Sequence, residues 1–242
     1  MANVIAPDRR INSLLAGALA AYGLCIRGWV VPDGESPLAK AGLCLAAGEP
    51  AHAVCLVGHG GGGFWPIFAA WHRLNSGVRE PLDSWSKSVI TPIARAVGGE
   101  AVFPSDKPWR PFQQWGMAAE GLKASPLGML IHPVYGLWHG YRGAILFSAL
   151  DVSGWPEDVA RLRQITTHPC DSCATKPCLT RCPVDAFKPD GLAVTACRDH
   201  LNTVAGQQGC MTSGCLAREA CPVGQTYRYS AAQIRFYMTA FA

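Results

Sequence analysis

The sequence predicts an α+β fold in two domains, an α/β domain over residues 1–160 and a small cysteine-built domain over residues 161–242. Three observations lead there. Helix and strand patterns alternate through the first two thirds of the chain. Eight of the eleven cysteines then fall in the last 73 residues. The length, 242 residues, suits one core domain with an appendage.

Taken in order, Ile11, Leu14, Leu15, Ala18, Leu19 and Tyr22 recur at helical spacing, and Gly23 is placed to end a first helix. The run IRGWVV that follows reads as a buried strand. LAKAGLCLAAGE reads as a short apolar helix, and AHAVCLVGHGGGGFWPIF as a strand feeding a glycine-rich turn. A helix over LDSWSKSVITPIARAVG stops at Gly98-Gly99. EAVFPSD is a strand, PFQQWGMAAEGLKA a helix, GMLIHP a strand and YRGAILFSALDV a longer one. The charged, proline-containing WPEDVARLRQITTHP suits a connection to the cysteine domain. No internal repeat is visible beyond the two cysteine groups.

A hydrophobic content of 49% and eight tryptophans argue against disorder. No apolar run reaches the roughly 18 residues of a transmembrane helix, so no membrane span is expected. Arg9-Arg10 before an Ala/Leu-rich stretch resembles a twin-arginine export signal. That stretch lacks an A-x-A-like cleavage site and runs straight into a strand, so a helix–strand unit and a cytoplasmic protein are the preferred reading.

The cysteines form two groups, each ending in Cys-Pro. The first is Cys170, Cys173, Cys178 and Cys182; the second is Cys197, Cys210, Cys215 and Cys221. Eight is twice the four thiolates that hold one cubane cluster, and C-x3-C-P is how bacterial-type ferredoxin runs finish. The tail is therefore expected to be ferredoxin-like, with two [4Fe–4S] clusters moving single electrons. Disulfides would demand an oxidising compartment. Zinc is the stronger rival, although only Cys170 and Cys173 have the paired C-x2-C spacing of structural zinc sites. In two-cluster ferredoxins the cysteine before proline serves the other cluster. That rule assigns Cys170, Cys173, Cys178 and Cys221 to one cluster, and Cys182, Cys197, Cys210 and Cys215 to the other. The formal charge of +4 lies wholly in this tail: residues 1–160 hold 12 Lys/Arg and 12 Asp/Glu, residues 161–242 hold 9 and 5. Two clusters at about −2 each would cancel it, which leaves no basic footprint for nucleic acid.

Upstream, Gly58 to Gly63 is interrupted only by His59. It reads as a tight turn, or as backbone closely approached by a large flat cofactor; it lacks the lysine and Ser/Thr of a phosphate loop. The stretch from Asp106 to Gly143 crowds His132, Tyr135, Gly136, Trp138, His139, Tyr141 and Arg142 together. Aromatic rings beside hydrogen-bonding groups suit a broad apolar cofactor with polar substituents at its rim. A histidine there could ligate a metal, though a lone histidine is more often a hydrogen-bonded structural residue. Asp106 and Tyr141 are the candidate proton donors; an aspartate before Lys-Pro is more often a cap or an ion-pair partner.

The order of elements, the segment EGLKASPLGMLIHP and the eight cysteines, with Cys197 inside CRDHLNT, resemble the epoxyqueuosine reductase and reductive dehalogenase group of cobalamin-dependent iron–sulfur proteins. The stretch IHPVYGLWHGYRGAILF is similar to the vitamin B12-processing (decyanase/dealkylase) family, which shares a nitroreductase-like core. These resemblances imply a corrinoid in a nitroreductase-like α/β half, contacted by His132, Tyr135, Gly136, Trp138, Tyr141 and Arg142. They imply electrons from a low-potential ferredoxin- or flavodoxin-type donor, passed through the clusters for corrinoid processing or for reduction of an organic substrate. FMN is the alternative cofactor, weakened by the absence of a clear phosphate-binding basic cluster. The alternative functions are a ferredoxin-type electron-transfer protein serving a partner enzyme and a tRNA-modifying reductase.

Overall fold

The computed structural model describes residues 9–31, 43–148 and 167–242. Residues 38–42 of the expected apolar helix over 38–49, and nearly all of the expected connection, lie outside the described residues. The chain divides into two compact units: residues 1–59, 63–121 and 140–165 form one, and residues 60–62, 122–139 and 166–242 the other. The sequence places its single cut at 160/161; here residues 122–139 group with the cysteine tail.

The first unit is built on a four-stranded sheet whose strands, in order, are β1 (Cys25–Val30), β2 (Ala53–Gly60), β6 (His139–Phe147) and β3 (Glu100–Val102). Helix α1 (Arg9–Ala20) precedes β1 (Cys25–Val30), as the helical spacing and Gly23 predict. β2 (Ala53–Gly60) runs antiparallel to β1, with Cys25 opposite Gly58 and Val30 opposite Val54. All of β2 but its last residue is buried, which its near-continuous apolar run requires of a strand covered on both faces. Helix α2 (Trp65–Leu74) follows, a helix the sequence reading did not separate from the strand and turn before it. Helix α3 (Pro81–Ala96) leads to β3 (Glu100–Val102), which pairs antiparallel with β6 (His139–Phe147), Val102 opposite Ala144. Helix α4 (Phe112–Glu120) packs on β1. One core joins Val30, Val54, Leu56, Trp115, Ala144 and Leu146. An aromatic group of Phe64, Phe68 and Trp85, with centroids 5.7–6.4 Å apart, fills another part.

Two local expectations are corrected. Residues 43–50 turn rather than continue a helix: Cys44 bridges Pro50, and Leu45 N–H bonds the Glu49 carbonyl. The expected helix ending at Ala124 stops instead at Gly121, whose left-handed backbone terminates it. Lys123–Ala124 then forms β4, paired with β5 (Leu130–Ile131).

The second unit has little regular structure. Beyond β4 and β5 come α5 (Pro177–Thr180), a hairpin of β7 (Phe187–Lys188) and β8 (Gly191–Leu192), and α6 (Val194–Leu201). Then follow α7 (Val204–Gln208), α8 (Cys210–Ser213), α9 (Leu216–Glu219) and α10 (Ala231–Phe241). Thr203 caps α7 and Ser230 caps α10 through side-chain bonds to backbone N–H groups. No described helix is long and apolar enough to cross a membrane.

Candidate metal centre

The eight tail cysteines fall into two foursomes. Cys170, Cys173, Cys178 and Cys221 lie close enough for every pair to feel one another's charge. The same holds for every pair among Cys182, Cys197, Cys210 and Cys215. The grouping crosses the sequence order: Cys182 belongs to the first run yet sits in the second foursome, and Cys221 ends the second run yet sits in the first.

Local structure explains the placement. The one-turn helix α5 presents Cys178, and α9 lies between Cys215 and Cys221, packed against α5. Leu127, Ile131 and Leu137 pack with Cys178, Ala217 and Cys221 in one apolar cluster. The four thiols of the first foursome line a recess whose other wall is Leu127, Ile131 and Leu137. Burial pushes the thiols of Cys170, Cys178, Cys197, Cys210, Cys215 and Cys221 upward, and for each the neighbouring cysteines push further. Backbone N–H groups oppose this by bonding to sulfur: Leu216 to Cys210, Ala217 and Arg218 to Cys215, and Val223 to Cys221. Ala186 N–H reaches Cys182 Sγ at 3.2 Å. Donors aimed at sulfur favour thiolate, the form that binds metals. Among the described residues, no three His, Cys, Asp or Glu side chains close around a point as a single metal ion would require. The foursomes are wider groupings, and the donor set itself, four buried or half-buried thiols with amide donors, is of the kind a cluster takes.

The residues expected around a flat cofactor are largely engaged inside the fold. His132 Nδ1 accepts from Val134 N–H at 3.0 Å and Tyr135 N–H at 3.1 Å, which builds the turn from His132 to Gly136. His139 Nε2 lies 3.0 Å from the Leu130 carbonyl. The Tyr135 ring covers Gly60 so closely that a Cβ there would collide with it, and it meets Tyr227 edge-on at 4.8 Å. This part of the glycine run therefore admits the chain's own ring. Gly136 has φ +56°, and a Cβ on it would strike the Val223 carbonyl. Any other residue would part this turn from the loop after Cys221. Trp138 is 2% exposed and packs with Tyr229 and Ile234. Arg142 is half-buried, its Nε donating to the Tyr141 carbonyl at 2.9 Å.

The two candidate proton donors have partners. Asp106 forms an exposed ion pair with Lys87 at 2.5 Å. Tyr141 donates its hydroxyl to Glu120 at 2.6 Å, and burial above all pushes its ionisation upward. Glu120 in turn holds Arg27 through two N–H donors, at 2.7 and 3.1 Å, and Arg27 Nη1 donates to the His59 carbonyl at 2.7 Å. Burial raises the Glu120 carboxyl, against the pull of Arg27 and Tyr141. This buried group escaped the sequence reading because Arg27 and Glu120 are 93 positions apart. The available signal was a lone arginine inside an apolar strand: β1 shifts register between Ile26 and Gly28, and such a bulge re-aims the side chain at its centre.

No family model matches the chain, and neither does any curated protein. Among solved structures, the C. elegans B12-trafficking protein CblC, a human MMACHC homologue, matches with a TM-score of 0.51 at 14% identity. The match covers 95% of this chain and 90% of that one. The class defined here is thus one of fold: a mixed α+β chain similar in architecture to CblC. The solved structure that matches in fold is described as a B12-trafficking protein, and nothing in the comparisons supports the epoxyqueuosine reductase group.

Proposed function

We propose that this chain is an iron–sulfur protein that handles a corrinoid, with each foursome of cysteines holding one [4Fe–4S] cluster in a ferredoxin-like tail. The observation that carries the reading is the sorting of eight thiols into two sets of four, each drawing one member from the other run. When bound, such clusters supply one-electron transfer at low potential. The chain's own part is to hold eight thiolates, to aim amide N–H groups at their sulfurs and to keep water from the first foursome with Leu127, Ile131 and Leu137. Second-sphere donors and apolar walls of this kind tune what a bound centre does. The corrinoid is the substrate or cargo in this reading, supported by the similarity in fold to a protein described as B12-trafficking. An enzyme of corrinoid processing, served by a low-potential electron donor, follows from the two together. Tyr135 and Arg142, both half-buried, are the contacts to test first.

One observation favours a second reading, an electron-transfer protein serving a partner enzyme: Trp138 and Tyr141 are taken up by internal partners. Anaerobic reconstitution followed by a cobalamin titration separates the two. The first reading expects about eight irons per chain, four per cluster, and a cobalamin spectrum that changes on binding. Substituting Tyr135→Ala or Arg142→Ala should weaken that binding and leave the iron in place. Eight irons with no cobalamin binding would leave the electron-transfer reading; no iron would remove both.

A further inference from the structure

Helix α9 is one turn long and lies between Cys215 of the second foursome and Cys221 of the first. Four residues cannot sustain a helix alone, so packing must hold it. Contacts with α5 and the burial of Ala217 supply part of it, and the Arg218 side chain adds a clamp of its own. Its guanidinium carbon lies 4.4 Å from the centre of the Trp138 ring and 4.8 Å from that of Tyr229. The two rings meet edge to face at 5.3 Å. Nη2 donates to the Leu137 carbonyl at 2.6 Å. Nε is buried without a hydrogen-bond partner among the described residues, so the ring faces are what it meets. The backbone of the same residue reaches both foursomes. Its N–H, beside that of Ala217, bonds the Cys215 sulfur. Its carbonyl accepts from Cys221 N–H at 3.2 Å.

We infer that Arg218 is a positioning residue for the second foursome, holding the Ala217 and Arg218 amides on Cys215 Sγ through its clamp on Leu137, Trp138 and Tyr229. The inference rests on the two-cluster reading above. Amide donors to sulfur stabilise negative charge there, and reduction adds one; slack in α9 therefore disfavours the reduced state of the second cluster and leaves the first unaffected. The planar guanidinium suits this clamp and an ammonium does not, because only the former stacks on rings while keeping a fixed donor for the carbonyl.

The test uses the full chain, reconstituted anaerobically, with Arg218→Met and Arg218→Lys beside the wild type. Reduction of each cluster is followed by EPR in a redox titration, and the second cluster's signal is identified by its loss in Cys182→Ala. In both variants the reduced-to-oxidised ratio of the second cluster at fixed poise should fall about tenfold, which is about 59 mV for a one-electron couple. Iron content and the first cluster should not change. Wild-type behaviour in Arg218→Lys alone would show that charge rather than the clamp is responsible and would overturn the inference. Unchanged potentials with eight irons in both variants would overturn it and leave the two-cluster reading standing, whereas wild-type protein that takes up no iron sinks that reading itself. Should Arg218→Met fail to fold, Trp138→Leu removes one face of the clamp and must lower the same potential.

Discussion

The sheet-bearing unit buries Phe64, Phe68, Trp85 and Trp115 to 1% exposure or less, beneath helices that include one of ten residues and one of sixteen. The cysteine-bearing unit has four helices of only four or five residues, and two of the six members of its first apolar cluster are cysteines. The same residue type behaves differently in the two. Cys55 is fully buried in the middle of β2, its thiol pushed far upward by burial; it is a small apolar filler. Six of the tail thiols, Cys170, Cys178, Cys197, Cys210, Cys215 and Cys221, are also raised by burial, but each sits among three others and most accept amide donors. Large apolar side chains organise the first unit. The second is organised around sulfur, and a helix of one turn has too little propensity to fold by itself.

On the two-cluster reading proposed above, this contrast is broken most forcefully by removing iron. Anaerobic chelation should strip hydrogen-exchange protection from residues 167–242 and leave β2 and β6 of the first unit protected, since metal-binding free energy is folding free energy where no other core suffices. Equal protection in both units after chelation would contradict the difference drawn here. A smaller effect, in the opposite unit, is expected of Glu120→Gln. The Arg27–Glu120 pair is buried, with side chains 2% and 8% exposed. Taking the charge from one partner of such a pair costs about 3–5 kcal/mol. A lowered denaturant midpoint with unchanged iron content would confirm that the group supports the sheet-bearing unit alone. Loss of iron in this variant would tie it to the metal centre. Least of all should follow from Asp106→Asn. Its pair with Lys87 is two-fifths exposed or more on each side, and exposed pairs contribute about 0–1 kcal/mol, less at high salt. A change of more than that in thermal stability would mean that Asp106 does something besides pairing with Lys87.

The parts legible in the sequence are those written in local pattern. Helical spacing with a terminal glycine marked α1, short apolar runs marked β1, β2 and β6, and cysteine spacing with the ferredoxin rule anticipated both foursomes. The rest depends on neighbours that spacing cannot name. Helix α2 was hidden because its residues continue the aromatic, apolar character of the strand and turn before it. The short helices around the cysteines carry almost no periodicity; Thr203 and Ser230 were the cap signals on offer. The rings between Tyr135 and Tyr141 were read as walls for an outside molecule, and their composition fits that. The structure turns them inward, Tyr135 onto Gly60 and Tyr227, Trp138 onto Arg218 and Tyr229, Tyr141 onto Glu120. Composition cannot distinguish a pocket lining from a polar-edged core.

The central claim is that the foursomes cross the two runs, and Cys182→Ala addresses it most directly. Cys182 lies in the first run, four residues from Cys178 and four from Ala186, whose N–H bonds its sulfur. Iron analysis and EPR on the anaerobically reconstituted variant should show the cluster of Cys197, Cys210 and Cys215 lost or damaged, with the cluster of Cys170, Cys173, Cys178 and Cys221 intact. Damage confined to the cluster of Cys170, Cys173 and Cys178 would contradict the account.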